Sequence, residues 1–389
     1  MRKARKKSEA NQANLKSRTV NVETSMTRTS TTRILFLSRR YPPSMGGIQT
    51  HCYHMCTLLS KWVDVKLVAL SRQHLIHLAW FVPYTYLASL FEVLFRKVDT
   101  IYFSDGVICC LATFLRPFTR ARFIVTVYGL ELTFSHWLFS KLMKWGISRC
   151  ERVLVISEHT GRITAESGVP EEKIHLIYLG VEPGTLTPER HKIVKENFEE
   201  QHGISFEKEK VVLNFGRQVR RKGLVPFLQK GFPLLNSDIR LIIGMGSTGE
   251  EIPKIKAESE RYGERIILLD HLDDDTAAML RAESDVFIMP NLAIATDAEG
   301  FGIAPLEAMY VGVLSVAFAV DALVESVNEW GYMVEPGDYQ GFVDKIHEHL
   351  GLTPEERASR GSKASEYVRR EYTWEKTARE YLEVFEGRV

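Results

Sequence analysis

Residues 285–318, DVFIMPNLAIATDAEGFGIAPLEAMYVGVLSVAF, carry the pattern of one complete β-α-β unit. A short apolar run, DVFIMP, comes first, and a second run, VLSVAF, closes the stretch. Between them a helix is expected to begin near Pro305, because proline is favoured in the first helical turn. Two short strands joined by a helix lie parallel in one sheet, so the stretch predicts a parallel α/β domain.

The same alternation extends in both directions along the chain. Upstream, the strand-like runs are ILFLS, VDVKLVAL, DTIYFS, RFIVTVY and RVLVIS, with helices expected near 47–61 and 75–96. After the segment GVEPGTLTPER, the runs are KVVLNFG, IRLIIG, RIILLD, DVFIMP, VLSVAF and YMVEP. We therefore predict an α/β protein of two Rossmann-like, doubly wound domains. Ligands of such domains lie beyond the carboxyl ends of the strands, so the two domains are expected to face an interdomain cleft.

Length and composition agree with a soluble protein of two domains. The chain has 389 residues, of which 45% are hydrophobic and 25% charged, and these values are ordinary for globular proteins. Its five cysteines are odd in number and confined to the first 150 residues, which argues against a disulfide framework and for a reducing, cytoplasmic setting. Cys52 and Cys56 lie beside His51 and His54, but no second ligand pair has the spacing of a metal site.

Charge is distributed unevenly between the two halves. Residues 1–180 hold 25 Lys+Arg and 12 Asp+Glu, a balance of +13, and residues 181–389 hold 25 and 37, a balance of −12. The polar tail 1–32 predicts disorder and supplies 8 basic and 2 acidic residues, which leaves +7 for residues 33–180. Such a basic domain could attract an anionic membrane surface, a phosphorylated substrate or nucleic acid, although ordinary scatter of surface charge is an equal alternative.

An apolar stretch, LIHLAWFVPYTYLASLFEVLF, occupies residues 75–95. Its length raises the question of a spanning helix, but His77, Pro83 and Glu92 interrupt it. Its place in the alternation favours a buried crossover helix of the first domain. A helix lying on a membrane surface is the main alternative.

Two cationic residues follow the first strand of the second series. In NFGRQVRRKG, Arg217 and Lys222 stand near the start of the next helix, where a guanidinium and an ammonium could bind a diphosphate. Arg220 and Arg221 are expected to point to solvent. A basic helix start on the surface is the structural alternative.

The segment EGFGIAPLE, residues 299–307, places a helix start between two carboxylates. The first backbone N–H groups of a helix have no partner within it and bind anions without a metal ion. Glu299 would face the group beyond the phosphates, and Glu307 could accept hydrogen bonds from a diol such as ribose. The residues expected to present free N–H groups are Phe301, Gly302, Ile303 and Ala304.

A glycine pair follows the first strand of the chain. In PPSMGGIQTH, Gly46 and Gly47 are expected to open the first helix, with no side chain to block the approach of a ligand. A structural turn is the alternative interpretation.

Two rival chemistries have weaker patterns. GMGSTGEE matches G-x-G-x-x-G, and Asp270 follows 21 residues after Gly249, as in a nicotinamide dinucleotide site. The match falls on the second strand of its domain, so a phosphate-proximal turn is favoured. Asp273 and Asp275 could suggest a metal site, but acids before TAAMLRAE are typical of a helix N-terminus.

The order of PPSMGG, VYGLEL, VLVISE, FGRQVRRKG, EGFGIAPLEAM and VEPGD resembles glycosyltransferase family 4, of group 1 and the GT-B fold, over residues 33 to about 385. The resemblance implies a retaining hexosyltransferase of polysaccharide biosynthesis that uses a nucleoside-diphosphate sugar as donor. We expect it to need no metal or other cofactor, because no acidic cluster is credited with holding a divalent ion. We also expect a glycan or lipid-linked hydroxyl acceptor at the cytoplasmic face of a membrane, because the first domain is basic and contains the apolar stretch 75–95. Nucleic acid is not an expected partner.

The resemblance also assigns roles and boundaries. Residues 33–183 would form the acceptor domain, 184–369 the nucleotide-sugar domain, and 370–389 a helix that returns to the first domain. Catalytic residues would be Glu299, Arg217 and Lys222. Donor-binding residues would be Gly46, Gly47, Tyr128, Phe301, Gly302, Ile303, Ala304 and Glu307.

The sequence departs from the family at three positions. Tyr128 stands where a sugar-contacting His is common, Leu179 where Asn is common, and Leu314 where Pro is frequent. Tyr128 could still donate a hydrogen bond to the donor. Two other classes stay open, a dinucleotide-dependent oxidoreductase and a GT-B-shaped binding protein without turnover.

Overall fold

A computed structural model describes residues 31–44, 46–71, 75–129, 132, 137–246, 249–294 and 297–388. The predicted tail 1–32 therefore lies almost wholly outside the described residues. The described chain forms two parallel six-stranded sheets, and this confirms the predicted fold class.

The first sheet has the strand order β2-β1-β3-β4-β5-β6. Its strands are β1 Arg33–Ser38, β2 Asp64–Ala69, β3 Thr100–Phe103, β4 Arg122–Val127, β5 Arg152–Val155 and β6 Ile174–Leu176. Its helices are α1 Gly47–Leu59, α2 Leu78–Phe95, α3 Ala112–Leu115, α4 Trp137–Ser148 and α5 Glu158–Glu166. No apolar run predicted β6, a strand of three partly exposed residues at the sheet edge.

The second sheet has the strand order β12-β11-β10-β7-β8-β9. Its strands are β7 Lys210–Gly216, β8 Ile239–Met245, β9 Ile266–Leu269, β10 Val286–Met289, β11 Ser315–Phe318 and β12 Tyr332–Val334. Its helices are α6 Pro188–His202, α7 Leu224–Lys230, α8 Ile252–Ser259, α9 Asp274–Glu283, α10 Ile303–Tyr310, α11 Leu323–Val327, α12 Tyr339–Leu350 and α13 Pro354–Glu371. All six strands lie where the apolar runs predicted them.

Each sheet has one point at which the strand order reverses. In the first sheet it lies between β1 and β3, and in the second between β7 and β10. Connections leave such a point in opposite directions and open a crevice beyond the carboxyl ends of the strands. The loops after β1, β7 and β10 contain the glycine pair, the FGRQVRRKG segment and the EGFGIAPLE segment, so the topology places these segments at the two crevices.

The last helix, α14 Trp374–Glu386, packs on the first domain. Tyr381 is fully buried, and its hydroxyl lies 2.9 Å from Thr126 Oγ1 of β4. Thr100 of β3 donates a hydrogen bond to the Phe385 carbonyl at 2.9 Å. The first domain is therefore completed by the end of the chain.

Helix α2 differs from the buried crossover helix that we favoured. Only 22% of the 18 residues of this helix are buried. The side chains of Trp80, Tyr84 and Phe91 are all more than half exposed. Its placement between β2 and β3 agrees with the prediction, but its burial does not.

Candidate functional site

Two helix N-termini meet across the interdomain cleft. Helix α1 begins at Gly47 after the N-cap Gly46, and α10 begins at Ile303 after the N-cap Gly302. A Cβ atom on Gly47 would lie 3.5 Å from Cδ1 of Ile303. Gly302 has a φ of 81° and would bring a Cβ within 2.6 Å of Ser326 Oγ, so a larger residue could not replace it without rearrangement.

The N-terminus of α10 has free backbone N–H groups, as the sequence predicted. None of the backbone N–H groups from Phe301 to Ala304 donates to another described residue. The Phe301 ring is buried between Tyr178 and Tyr372, each with its ring centroid 5.8 Å away. This packing fixes the turn before the helix, so the N–H groups are held in place for an anion.

The two cations predicted for this site differ in environment. Arg217 is exposed and makes no ion pair with another described residue. Lys222 is buried, and its Nζ lies 2.5 Å from Glu299 Oε2. Burial lowers the pKa of Lys222, while the carboxylate of Glu299 opposes this shift.

Glu299 is held by three donors on one of its two oxygens. Lys222, Arg221 and, at 3.1 Å, Asn291 all donate to Oε2. Burial alone would raise the pKa of Glu299, but the charges of Lys222 and Arg221 lower it to about 2. No described residue donates to Oε1, so this oxygen can accept a hydrogen bond from a ligand hydroxyl.

Arg221 corrects one expectation. It does not point to solvent but is 6% exposed and pairs with Glu299 and, at 3.1 Å, with Asp297. The 3-10 turn Arg220–Lys222 brings Arg221 and Lys222 inward and leaves Arg220 exposed. The sequence shows three adjacent cations and no signal that tells the inward residues from the outward one.

Glu307 lies in the second turn of α10, where it forms an ion pair with Arg281 of α9 at 3.0 Å. Burial raises its pKa, and the Arg281 charge opposes this shift. Its second oxygen has no donor among the described residues, so the carboxylate can still accept from a ligand. Sequence reasoning missed Arg281 as the group that orients it.

We expected the Tyr128 side chain to contact the donor in the cleft, but it is buried instead. It is 8% exposed, and its hydroxyl lies 2.5 Å from Nδ1 of His51. His51 is completely buried, and burial lowers its pKa to about 3. The Tyr128 hydroxyl therefore links the loop that follows β4 to α1. Its carbonyl, however, adjoins the site, because a Cβ on Gly300 would lie 2.8 Å from it.

A set of contacts joins the two domains beside Glu299. Asp321, whose φ is 49°, accepts from the Glu299 N–H at 2.8 Å and lies 3.5 Å from His159 Nε2. Glu325 accepts from the N–H groups of Glu158 and His159, at 2.6 and 2.9 Å. A carboxylate of the second domain therefore sits at the positive end of helix α5 in the first.

The structure explains the two sequence patterns that suggested a dinucleotide site and a metal site. Gly249 packs on Gln218, whose backbone leaves no room for a Cβ. The GMGSTG turn follows β8, whereas the strand order reverses between β7 and β10; Ser247 and Thr248 lie outside the described residues. Asp273 caps α9 through the Thr276 N–H, and Asp275 pairs with Arg190 at 2.6 Å.

Two family models match consecutive parts of the chain. The model described as Glycosyltransferase Family 4 matches residues 45–184, and the one described as Glycosyl transferases group 1 matches residues 209–351. An uncharacterised glycosyltransferase of Methanocaldococcus jannaschii is 22% identical over 91% of this chain and 97% of its own length.

Solved structures share the fold at low identity. Sucrose-phosphate synthase from Thermosynechococcus elongatus has a TM-score of 0.73 and 18% identity, over 92% of this chain and 98% of that one. Anabaena HepE, in complex with UDP-glucose, has a TM-score of 0.71 and 18% identity, over 91% and 99%. The two matched domains, the paired sheets and the cleft between them lead to one conclusion: the chain belongs to the family 4, group 1 glycosyltransferases with the GT-B fold.

Proposed function

We propose that the protein transfers a hexosyl group from a nucleoside-diphosphate donor to a hydroxyl acceptor, with retention of configuration at the anomeric carbon. One observation carries the proposal: the N-termini of α1 and α10 approach each other at Gly47 and Ile303, and Lys222 lies beside α10 within reach of the Arg217 charge. The donor group that fits this concentration of positive potential is a diphosphate. Because Anabaena HepE binds UDP-glucose, a UDP-hexose is the first donor to test.

The proposed step breaks the bond between the anomeric carbon and the diphosphate oxygen. The leaving diphosphate takes the electron pair, and Arg217, Lys222 and the N–H groups of α10 stabilise its developing charge. The acceptor oxygen forms the new bond on the same face of the sugar. Its proton passes to the departing phosphate oxygen, so atoms and charge balance.

The two carboxylates orient the donor rather than exchange protons. Glu299 Oε1 accepts from a sugar hydroxyl, while Arg221 and Asn291 keep the other oxygen in place. Glu307 accepts from the ribose diol, oriented by Arg281. In this arrangement Lys222 can turn from Glu299 to a phosphate oxygen without leaving the carboxylate unneutralised, because Arg221 remains.

Metal independence is part of the proposal. In metal-dependent transferases a divalent ion neutralises the diphosphate, and here the fixed cations and helix ends can supply that charge. Release of the nucleotide should therefore continue in EDTA. Loss of activity in EDTA and its recovery with Mn²⁺ would contradict this part.

For the acceptor, we propose a lipid-linked or otherwise membrane-presented glycan at the cytoplasmic face. The basic balance of residues 33–180 and the exposed apolar helix α2 support this proposal. Both features belong to the first domain, which faces the donor across the cleft.

A panel of nucleotide sugars tests the donor chemistry, with nucleotide release and thermal stabilisation measured in parallel. A hexosyltransferase is expected to bind one or a few donors and to release nucleoside diphosphate when acceptor is present. Binding without release under any acceptor would favour a binding protein without turnover. Stabilisation by NAD and not by nucleotide sugars would favour the oxidoreductase alternative.

A further inference from the structure

Helix α2 carries its largest apolar side chains on its outer face. Trp80, Tyr84, Leu87, Phe91 and Leu94 are between 51 and 64% exposed. They recur at intervals of four and three residues, so they form one stripe along the helix. The stripe covers all four turns after Trp80.

Three of the four most buried positions of the same helix are polar, while Leu78, Val82, Tyr86, Ala88 and Val93 are partly buried beside them. Thr85 and Ser89 are completely buried, and neither hydroxyl has a hydrogen-bond partner among the described residues. Glu92 is 5% exposed and pairs with Arg33 of β1 at 3.1 Å. Phe81 is the one large apolar side chain of α2 that is completely enclosed within the described structure. A surface helix of a water-soluble domain carries polar residues on its outer face, whereas the outer face of α2 is apolar.

Exposed apolar side chains are also present on the neighbouring elements. Helix α2 packs beside α3 and the turn Arg116–Phe118. Phe114 and Phe118 are 49 and 47% exposed, and the Phe114 ring lies 6.4 Å from the ring of Trp145, itself 46% exposed. We call the combined surface the docking face; its residues are Trp80, Tyr84, Leu87, Phe91, Leu94, Phe114, Phe118 and Trp145.

The segment that carries the docking face has a net positive charge. Residues 75–149 contain 8 Lys+Arg and 4 Asp+Glu, a balance of +4. Of the four acids, Glu92 and Asp105 are buried. An anionic surface complements this arrangement, whereas a second copy would bring like charges together. The exposed cations of this segment, among its described residues, are Arg96, Lys97, Arg120, Lys141, Lys144 and Arg149.

We propose that the docking face inserts into the headgroup region of an anionic membrane, with α2 lying in the plane of the surface. Trp and Tyr side chains are favoured at this depth, and exposed lysines and arginines at its edge attract anionic lipids. Helix α2 has the length and composition to span a membrane. Spanning would, however, break the Glu92–Arg33 ion pair and expose Thr85 and Ser89 to lipid.

The orientation follows from the topology. Helix α2 follows β2 and starts beyond the carboxyl ends of the strands, which face the cleft. The Trp80 end of the docking face therefore lies nearest to the cleft. An acceptor held in the membrane would therefore enter the cleft past this end. This step alone rests on the proposed function.

Co-sedimentation of the full chain with vesicles tests the docking face. Neutral phosphatidylcholine vesicles are compared with vesicles that also contain phosphatidylglycerol, at about 0.01 M and about 0.5 M salt. The protein should bind the anionic vesicles at low salt and dissociate at high salt. Trp80→Ser/Phe91→Ser should weaken binding at least about tenfold, because two large apolar side chains leave the bilayer.

The matched control is Ile193→Ser/Leu234→Ser, which removes two comparably exposed apolar side chains of the second domain. It should bind vesicles as the unaltered protein does. The tail 1–32 is the same in every variant, so its charge cannot produce a difference. If the docking-face variant loses its fold, Leu87→Ser/Leu94→Ser takes its place, and thermal melts identify such a loss.

Three results would overturn the proposal: no binding of the unaltered protein to anionic vesicles, equal binding by the docking-face variant, or a dimer that the docking-face variant dissociates without any vesicle binding. The last would make a second copy the occupant. UDP stabilisation of each variant is measured separately, so a failed donor site and a failed docking face give different results.

Discussion

Lys222 Nζ and Glu299 Oε2 lie 2.5 Å apart at the point where the switch-point loops of the second domain converge. The ammonium and the carboxylate are both buried, and each neutralises the other. A buried pair is costly to break from one side only, because the remaining charge has no partner. Arg221 changes this balance, since it stays with Glu299 when Lys222 moves.

The first prediction concerns the diphosphate. Arg217→Ala and Lys222→Ala should each weaken transition-state stabilisation by about 2 to 4 kcal/mol, as the loss of a preorganised charge does elsewhere. The ratio kcat/KM for the donor is the measurement. Arg220→Ala is the control, because Arg220 belongs to the same turn as Lys222 but does not pair with Glu299. Unchanged kinetics in both variants would show that Arg217 and Lys222 do not stabilise the leaving diphosphate.

The second prediction separates the two carboxylates. Glu299→Gln should lower kcat at least about tenfold while nucleotide affinity stays nearly constant, because the proposed mechanism has Glu299 contact the sugar and not the nucleotide. Glu307→Gln should chiefly weaken nucleotide binding. Calorimetric titration with UDP and steady-state kinetics distinguish these results. The same response in both variants would show that the division of roles is wrong.

The third prediction concerns the contact between domains. Glu325→Ala removes the carboxylate from the N-terminus of α5, where it accepts from Glu158 and His159. The loss of a charge at a helix end weakens the contact by about 0.3 to 2 kcal/mol. The cleft should then open more often, and small-angle scattering should give a larger radius of gyration.

Glu329→Ala is the matched control for this contact. Glu329 is exposed in the turn that follows α11, and it makes no hydrogen bond or ion pair with α5 among the residues that the structure describes. Its replacement should therefore leave the radius of gyration unchanged. An equal change in both variants would show that Glu325 does not hold the domains together.

The fourth prediction concerns stability at acidic pH. His51 has a pKa of about 3 in the folded protein because it is buried, against about 6.5 in an unfolded chain. Between these values the unfolded state binds the extra proton, so the free energy of unfolding falls as the pH drops from about 6.5 towards 3. His51→Gln should flatten this fall by about 1 to 2 kcal/mol between about pH 6 and pH 4.5.

Urea denaturation at several pH values measures the effect. Tyr128→Phe is the matched control, because it removes the hydrogen bond to His51 but leaves the imidazole buried. It should lower stability at every pH without changing the slope. His349, whose pKa burial lowers to about 4, contributes a slope of its own that remains in both variants. An unchanged slope in His51→Gln would show that His51 is not the acid-sensitive group.

Most strands could be predicted because they are buried on both faces and therefore appear as continuous apolar runs. β6 lacks this signal, since it is short and partly exposed at an edge. The exposure of α2 could not be predicted, because the sequence is apolar over most of the helix. The sheet decides which face is covered, and here it covers Thr85 and Ser89.

The position of the candidate site followed from topology, since loops after switch-point strands must meet at the crevice. The hydrogen-bond and ion-pair partners of its side chains could not be predicted in this way. Arg221 turns inward through the geometry of one 3-10 turn. The bond between His51 and Tyr128 joins residues 77 positions apart, and no local pattern encodes such a distant pairing.

The return of α14 to the first domain has a consequence for the order in which the protein is made. Tyr381 and Phe385 fill the core beside β3 and β4, yet they leave the ribosome long after those strands. At about 5 to 20 residues per second, synthesis of the 210 residues between Leu176 and Glu386 takes about 10 to 40 s. During that time the second domain can complete its core, while the first, although translated earlier, keeps an open groove where α14 will dock. A nascent-chain chaperone would therefore find its apolar target on the first domain, which is translated before the second.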